Sequence, residues 1–347
     1  MARAVEKTMQ RIRVTTFCIF GVFALTFVAQ AQTSDDAYRP PRTSWGDPNL
    51  EGKWPSTNMA GVPLQRPESF GTRNELNDAE FAERQAQAAR QVAQDNADFD
   101  FENPSVPFGQ VGGGQSPPQH WFERGATQRQ VSLIVDPPNG RLPALTAAAQ
   151  QREADRRGKS TAQPASYTDF SLYERCITRG LIGSVMPGGY NNGNQIFQAP
   201  GYVTIVNEMI HEARIVPLDA QPHSSPAIQS HLGDSRGRWE GDTLVVETKN
   251  IADRQGLGLN NTGASAALTI TERFTRTSDT TLRYLVTVDD PMTWTAPFTM
   301  QFTLERDDGY GMFEYACHEG NLALRNILSG ARATESANVK STARPPR

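Results

Sequence analysis

Hydrophobic and polar positions alternate through the C-terminal half of the chain. Phe298, Met300, Phe302 and Leu304 are apolar at every second position, with Thr299, Gln301, Thr303 and Glu305 between them. Leu282, Tyr284, Val286 and Val288 repeat the pattern. A period of two puts successive side chains on opposite faces of a strand. One-sided alternation over consecutive strands predicts an antiparallel sheet with one wet face. GYVTIVNEM (201–209), ARIVPLD (213–219), DTLVVET (242–248), ALTITERFTR (267–276), TLRYLVTVDD (281–290), FTMQFTLERD (298–307) and GMFEYAC (311–317) all read as strands between turn residues. Such a run predicts a mainly β fold, an antiparallel up-and-down barrel or a strongly curved sheet.

The N-terminal half carries little periodicity. Residues 32–75 are rich in Pro, Gly and Asn and read as irregular, with a short strand around Gly52-Lys53-Trp54. Residues 77–95 predict a surface helix capped by Asn77 or Asp78, with a thin apolar face of Phe81, Ala88 and Val92. A long Pro/Gly loop follows at 102–125, then a strand in VSLIV (131–135), a turn in DPPNG, and a short helix over 145–157 capped by Thr146. The predicted organisation is a signal peptide over 1–31, a loop-rich wrap with two short helices over 32–165, an antiparallel β domain with a C-terminal helix over 166–332, and a disordered polar tail over 333–347.

The signal peptide rests on order. Arg3, Lys7, Arg11 and Arg13 precede an apolar run of about 13 residues and then Ala29 and Ala31, which fit cleavage before Gln32. The alternative is an uncleaved anchor. A periplasmic or secreted protein without a membrane span in its mature form is expected. The formal net charge is −4 with no basic stripe, which argues against nucleic-acid binding. Of three cysteines, Cys18 leaves with the signal, so Cys176 and Cys317 remain as a pair in an oxidising compartment. A disulfide is the preferred reading, against a reactive or metal-bound thiolate.

Several strings resemble a group of exported bacterial proteins found in proteobacteria and acidobacteria: SWGDPNLEGKW, DPPNGRLP, LYERCITRG, QAPGYVTIVNEMIHEARIVPLD, GDSRGRWEGDTLVVET, ITERFTR and FEYACHEGN. They span most of the chain after the signal. The resemblance implies an exported, β-rich protein and supplies no catalytic residue. Separately, GKW is similar to the G-x-W of lipocalin-type barrels, which makes the expected barrel lipocalin-like.

Candidate chemistry sits in a few places. NEMIHEARIVPLDAQPH gathers Glu208, His211, Glu212, Arg214 and His223 around a hairpin, as acid–base groups or as solvated charges. No pair of histidines has a short ligand spacing, so no metal or other cofactor is expected. Glu272 lies on the apolar face of its strand with Leu268, Ile270 and Phe274; it is either paired with an arginine such as Arg175 or Arg214, or functional. YNNGNQ offers Tyr190, Asn191, Asn192 and Asn194 to a sugar hydroxyl or carbonyl, or is an Asn-Gly turn. His318 and Glu319 follow Cys317 as an acid–base pair or a helix start. Two functions fit. One is an enzyme using His211, His223, His318, Glu208 and Glu272 on a small organic or sugar-derived substrate, as a lyase, isomerase or hydrolase. In that case Tyr190, the three asparagines, Arg175, Arg214 and Glu319 bind the substrate. The other is a non-catalytic barrel holding an apolar or carbohydrate ligand.

Overall fold

The computed structural model describes residues 38–95, 122–157, 163–252 and 263–342. The predicted signal peptide and most of the loop at 102–125, with His120, lie outside them. Among the described residues ten strands form two antiparallel sheets. The smaller contains β1 (Gly52–Lys53), β3 (Asn194–Ala199), β4 (Tyr202–Asn207) and β5 (Glu212–Pro217), in the order β1-β3-β4-β5. The larger has β2 (Ile134–Asp136), β6 (Asp234–Glu240), β7 (Thr243–Lys249), β8 (Thr269–Arg276), β9 (Thr281–Asp289) and β10 (Phe298–Glu305), in the order β2-β10-β9-β8-β7-β6.

The alternation works as the sequence predicts. Leu282, Tyr284, Val286 and Val288 of β9 pair directly with Leu304, Phe302, Met300 and Phe298 of β10, and all eight are buried. The intervening threonines stay partly exposed, and Thr287 and Thr299 bond to each other at 2.9 Å on the outer face. The EGD turn joins β6 to β7 at Gly241, whose φ of 61° is the left-handed conformation a two-residue hairpin requires.

Both sheets feed one core, in which Ile196, Val203, Ile205 and Val216 meet the apolar rows of β7 to β10. They do not form a continuous ladder. β5 and β6 are neighbours without pairing, and their seam is filled by side chains: a Cβ on Gly237 would lie 2.6 Å from Leu218 and 2.8 Å from Val216. At the other margin Asp307 N–H donates to the Lys53 carbonyl at 3.0 Å, just beyond β10. The fold is therefore two antiparallel sheets around a shared core.

The helices match in place and differ in extent. α1 (Asp78–Asp95) opens with a reciprocal box in which Asn77 accepts from Glu80 N–H and Glu80 accepts from Asn77 N–H, each at 2.9 Å. α2 (Ala147–Arg157) is capped by Thr146, which accepts from Ala149 N–H at 3.1 Å. α3 (Ala323–Thr342) runs ten residues into the stretch expected to be a disordered tail. The segment 311–317, expected to be a strand, is irregular instead. Its backbone bonds go elsewhere: Phe313 N–H donates to the Glu208 side chain at 2.9 Å, and Cys317 N–H donates to the Tyr315 carbonyl at 2.9 Å. No described residue belongs to a helix long and apolar enough to cross a membrane.

Candidate functional site

Glu208 follows directly after β4 and is almost fully buried. Four donors converge on its carboxylate: Asn191 Nδ2 at 2.9 Å, Gly193 N–H at 3.1 Å, Tyr310 Oη at 2.7 Å and Phe313 N–H at 2.9 Å. Tyr310 Oη also lies 2.8 Å from Glu123, which accepts from the backbone of Asn191 and Asn192 and from Asn192 Nδ2. Glu123, Tyr310 and Glu208 thus tie three irregular segments together under the YNNGNQ loop. Burial, reinforced by the bond to Glu208, raises the Tyr310 pKa far above the usual phenol range, so Tyr310 stays a neutral donor. Tyr310→Phe is expected to destabilise the protein by roughly 1–3 kcal/mol, because two carboxylates lose a shared partner. Urea denaturation measures this, and an unchanged midpoint would contradict the clamp.

Above the clamp sits a group of phenols. Tyr173 Oη is 3.5 Å from Tyr315 Oη and 3.7 Å from Met209 Sδ. The rings of Tyr190 and Tyr315 stack with centroids 6.4 Å apart. Arg179 lies 5.5 Å from the centre of the Tyr173 ring. Burial, with the neighbouring phenols, raises the pKa of both Tyr190 and Tyr315. His211 joins through Nδ1, 3.1 Å from the Tyr315 carbonyl oxygen. A carbonyl only accepts, so Nδ1 carries a hydrogen and Nε2 is the free acceptor of the neutral ring.

The backbone here is unusual. Cys176, Asn191, Ile210 and His211 have φ of 56°, 52°, 59° and 45°. For a β-branched residue such as Ile210 the left-handed region is a genuine outlier. Left-handed residues held by their surroundings cluster at sites where geometry matters. The Cys176–Cys317 disulfide is formed, with Cα atoms 5.6 Å apart, and it pins the Tyr315 segment beside Tyr173.

The other expected site residues lie apart or are spent on structure. His223 is held between Asp234 and Glu247, with ring nitrogens 3.2 and 3.1 Å from their carboxylates. Both of its ring nitrogens are engaged there. His318 and Glu319 are exposed in a turn, and Asn321, rather than Glu319, caps α3 by accepting from Ala323 N–H at 3.2 Å. Asn194 ties β1 to β3 by donating to the Trp54 carbonyl. Arg175 stacks on Tyr167. Glu272 is fully buried and paired with Arg214, which donates to it through both terminal nitrogens, while Tyr284 Oη donates to it at 2.7 Å.

Sequence reasoning missed Glu123, Tyr173, Arg179, Tyr310 and Tyr315. Tyr173 and Arg179 flank Cys176 in LYERCITRG, and Tyr315 precedes Cys317 in FEYAC, so their distance from the paired cysteines was the available signal. Among the described residues no three His, Cys, Asp or Glu side chains gather as a metal-binding group. Compared with protein-family models, curated proteins and solved structures, the chain gives no match.

Proposed function

We propose that this protein is an enzyme that works outside the cytoplasm by acid–base chemistry on a small organic or sugar-derived substrate, at the cluster of Tyr173, Tyr190, Tyr315 and His211. The observation that carries the reading is the Nδ1 bond of the exposed His211 ring to the Tyr315 carbonyl, which orients the imidazole and leaves Nε2 to accept a proton. The phenols supply hydrogen-bond donors and a proton source. Export and signal cleavage before Gln32 form part of the proposal, supported by the disulfide, a bond that persists in oxidising compartments.

A second reading is a lipocalin-like barrel that binds a ligand without turning it over, supported by the core the two sheets share. The enclosed space beside Trp54, Arg214, Phe274 and Tyr284 is about 20 Å³, room for roughly one water. That size favours a surface ligand over one held between the sheets.

The test is to incubate the disulfide-intact protein with a panel of neutral and acidic oligosaccharides and small hydroxy acids, and to follow products by mass and ultraviolet absorbance. His211→Gln should lower any turnover by about 10²–10⁴-fold with an unchanged melting temperature. Binding without turnover would favour the second reading. Turnover that survives His211→Gln would remove the assignment of the base.

A further inference from the structure

The tyrosine cluster contains a cation that the hydrogen-bond network does not use. Arg179 is half-buried and lies over the Tyr173 ring, and its terminal nitrogens are 3.5 and 3.6 Å from where a Cβ on Gly188 would stand, two residues before Tyr190. Among the described residues its side chain has no ion pair and no hydrogen bond. The carboxylates that contribute to this region, Glu123 and Glu208, are occupied by amide and phenol donors. Elsewhere the fold gives its buried arginines acceptors: Arg214 pairs with Glu272, and Arg66 and Arg276 donate to backbone carbonyls.

A half-buried guanidinium without an acceptor carries a desolvation cost that a ligand anion would offset. Its planar fork matches a carboxylate through two parallel hydrogen bonds. Around it stand ring faces and phenol hydroxyls, which suit a polyhydroxylated molecule. One unpaired cation matches one negative charge, which points to a carboxylate rather than a phosphate dianion.

We propose that Arg179 binds the carboxylate of an acidic sugar or sugar-derived hydroxy acid, with Tyr173, Tyr190 and Tyr315 contacting its hydroxyls. This rests on the reading of the cluster as a ligand site. It makes Arg179 a specificity-determining residue, and places the negative charge of the substrate within the same group of side chains as His211.

The experiment uses D-glucuronate, D-glucose and D-glucose 6-phosphate as probes, with binding to the oxidised full chain followed by ligand-observed NMR. Glucuronate should bind at least 10-fold more tightly than glucose. Arg179→Gln should abolish that preference and leave the melting temperature unchanged, Arg179→Lys should restore part of it, and Arg175→Gln should change nothing. Equal binding of glucose and glucuronate would overturn the proposal, as would an Arg179→Gln variant that keeps the preference, or the absence of binding by either sugar at tens of millimolar. Glucose 6-phosphate binding as tightly as glucuronate would overturn the assignment to a carboxylate. Arg179-dependent glucuronate binding, with no turnover of any acidic substrate and no effect of His211→Gln, would uphold this inference and reject the acid–base function. Turnover that needs His211 and ignores Arg179 would do the reverse.

Discussion

Arg214→Met is expected to destabilise the protein by about 3–5 kcal/mol, because it strands a buried charge. Glu272 has no exposed surface and lies in β8 between the apolar neighbours Ile270 and Phe274. Its two oxygens are met by the fork of Arg214 from the smaller sheet and by Tyr284 Oη from β9. Burial works against the charge on Arg214, and the attraction of Glu272 outweighs it, so the guanidinium pKa is raised. Tyr284 is held protonated by burial and by the adjacent carboxylate. Removing the cation leaves one phenol hydrogen to satisfy an ionised carboxylate in a dry interior. A triple variant, Arg214→Met with Glu272→Met and Tyr284→Phe, should regain most of the loss, since an apolar set of similar volume replaces the pair without leaving a charge. Urea unfolding of the two variants distinguishes a stranded charge from a simple packing defect. A single variant within 1 kcal/mol of the parent would contradict the argument.

Glu272 also shows where sequence reasoning reaches its limit. A carboxylate in phase with Leu268, Ile270 and Phe274 is visible as an anomaly, because strand periodicity assigns it to the inner face. Its partner is not visible. Arg175 and Arg214 were both open, and only the placement of β5 against the edge of the larger sheet selects Arg214. The β domain was legible because each of its long strands buries one face and so carries a period of two. β3 was missed because NQIFQA starts inside a run of Asn and Gly that reads equally well as a turn. Segment 311–317 was misread because its aromatic residues suggest a strand, while its Phe313 N–H is taken up by the Glu208 side chain just past β4 and the exposed Phe313 ring packs on no sheet. The clamp of Glu123, Tyr310 and Glu208 left no pattern. Each residue comes from a different irregular segment or strand end, and their separations of 102 and 187 residues carry no period. Cysteine counting did better, since two thiols outside the expected signal leave one pairing. The histidines did worse, because scarcity made them look like a set. The structure gives His223 to Asp234 and Glu247, leaves His318 exposed, and among the described residues brings the likewise exposed His211 to the Tyr315 carbonyl.

Cys317→Ser is expected to cost about 2–5 kcal/mol of stability and to disorganise the tyrosine cluster before it affects the sheets. The bond spans a sequence separation of 141 residues, for which loop-closure entropy gives roughly 4–5 kcal/mol, and measured losses usually fall below that figure. Cys317 lies two residues from Tyr315, whose ring stacks on Tyr190 and whose carbonyl orients His211. The 311–317 segment belongs to no sheet, so the disulfide and the Glu208 clamp are its main attachments. Breaking the bond should therefore reduce near-ultraviolet tyrosine ellipticity and glucuronate binding while far-ultraviolet ellipticity persists. Cys176→Ser, Cys317→Ser and the double variant should lose the same amount, because each removes one shared interaction. Reductant should lower the urea midpoint of the parent and leave all three variants unmoved. If reductant leaves the parent unchanged as well, the bond contributes nothing to the folded state, and the alignment of Tyr315 with His211 must depend on the Glu208 clamp alone.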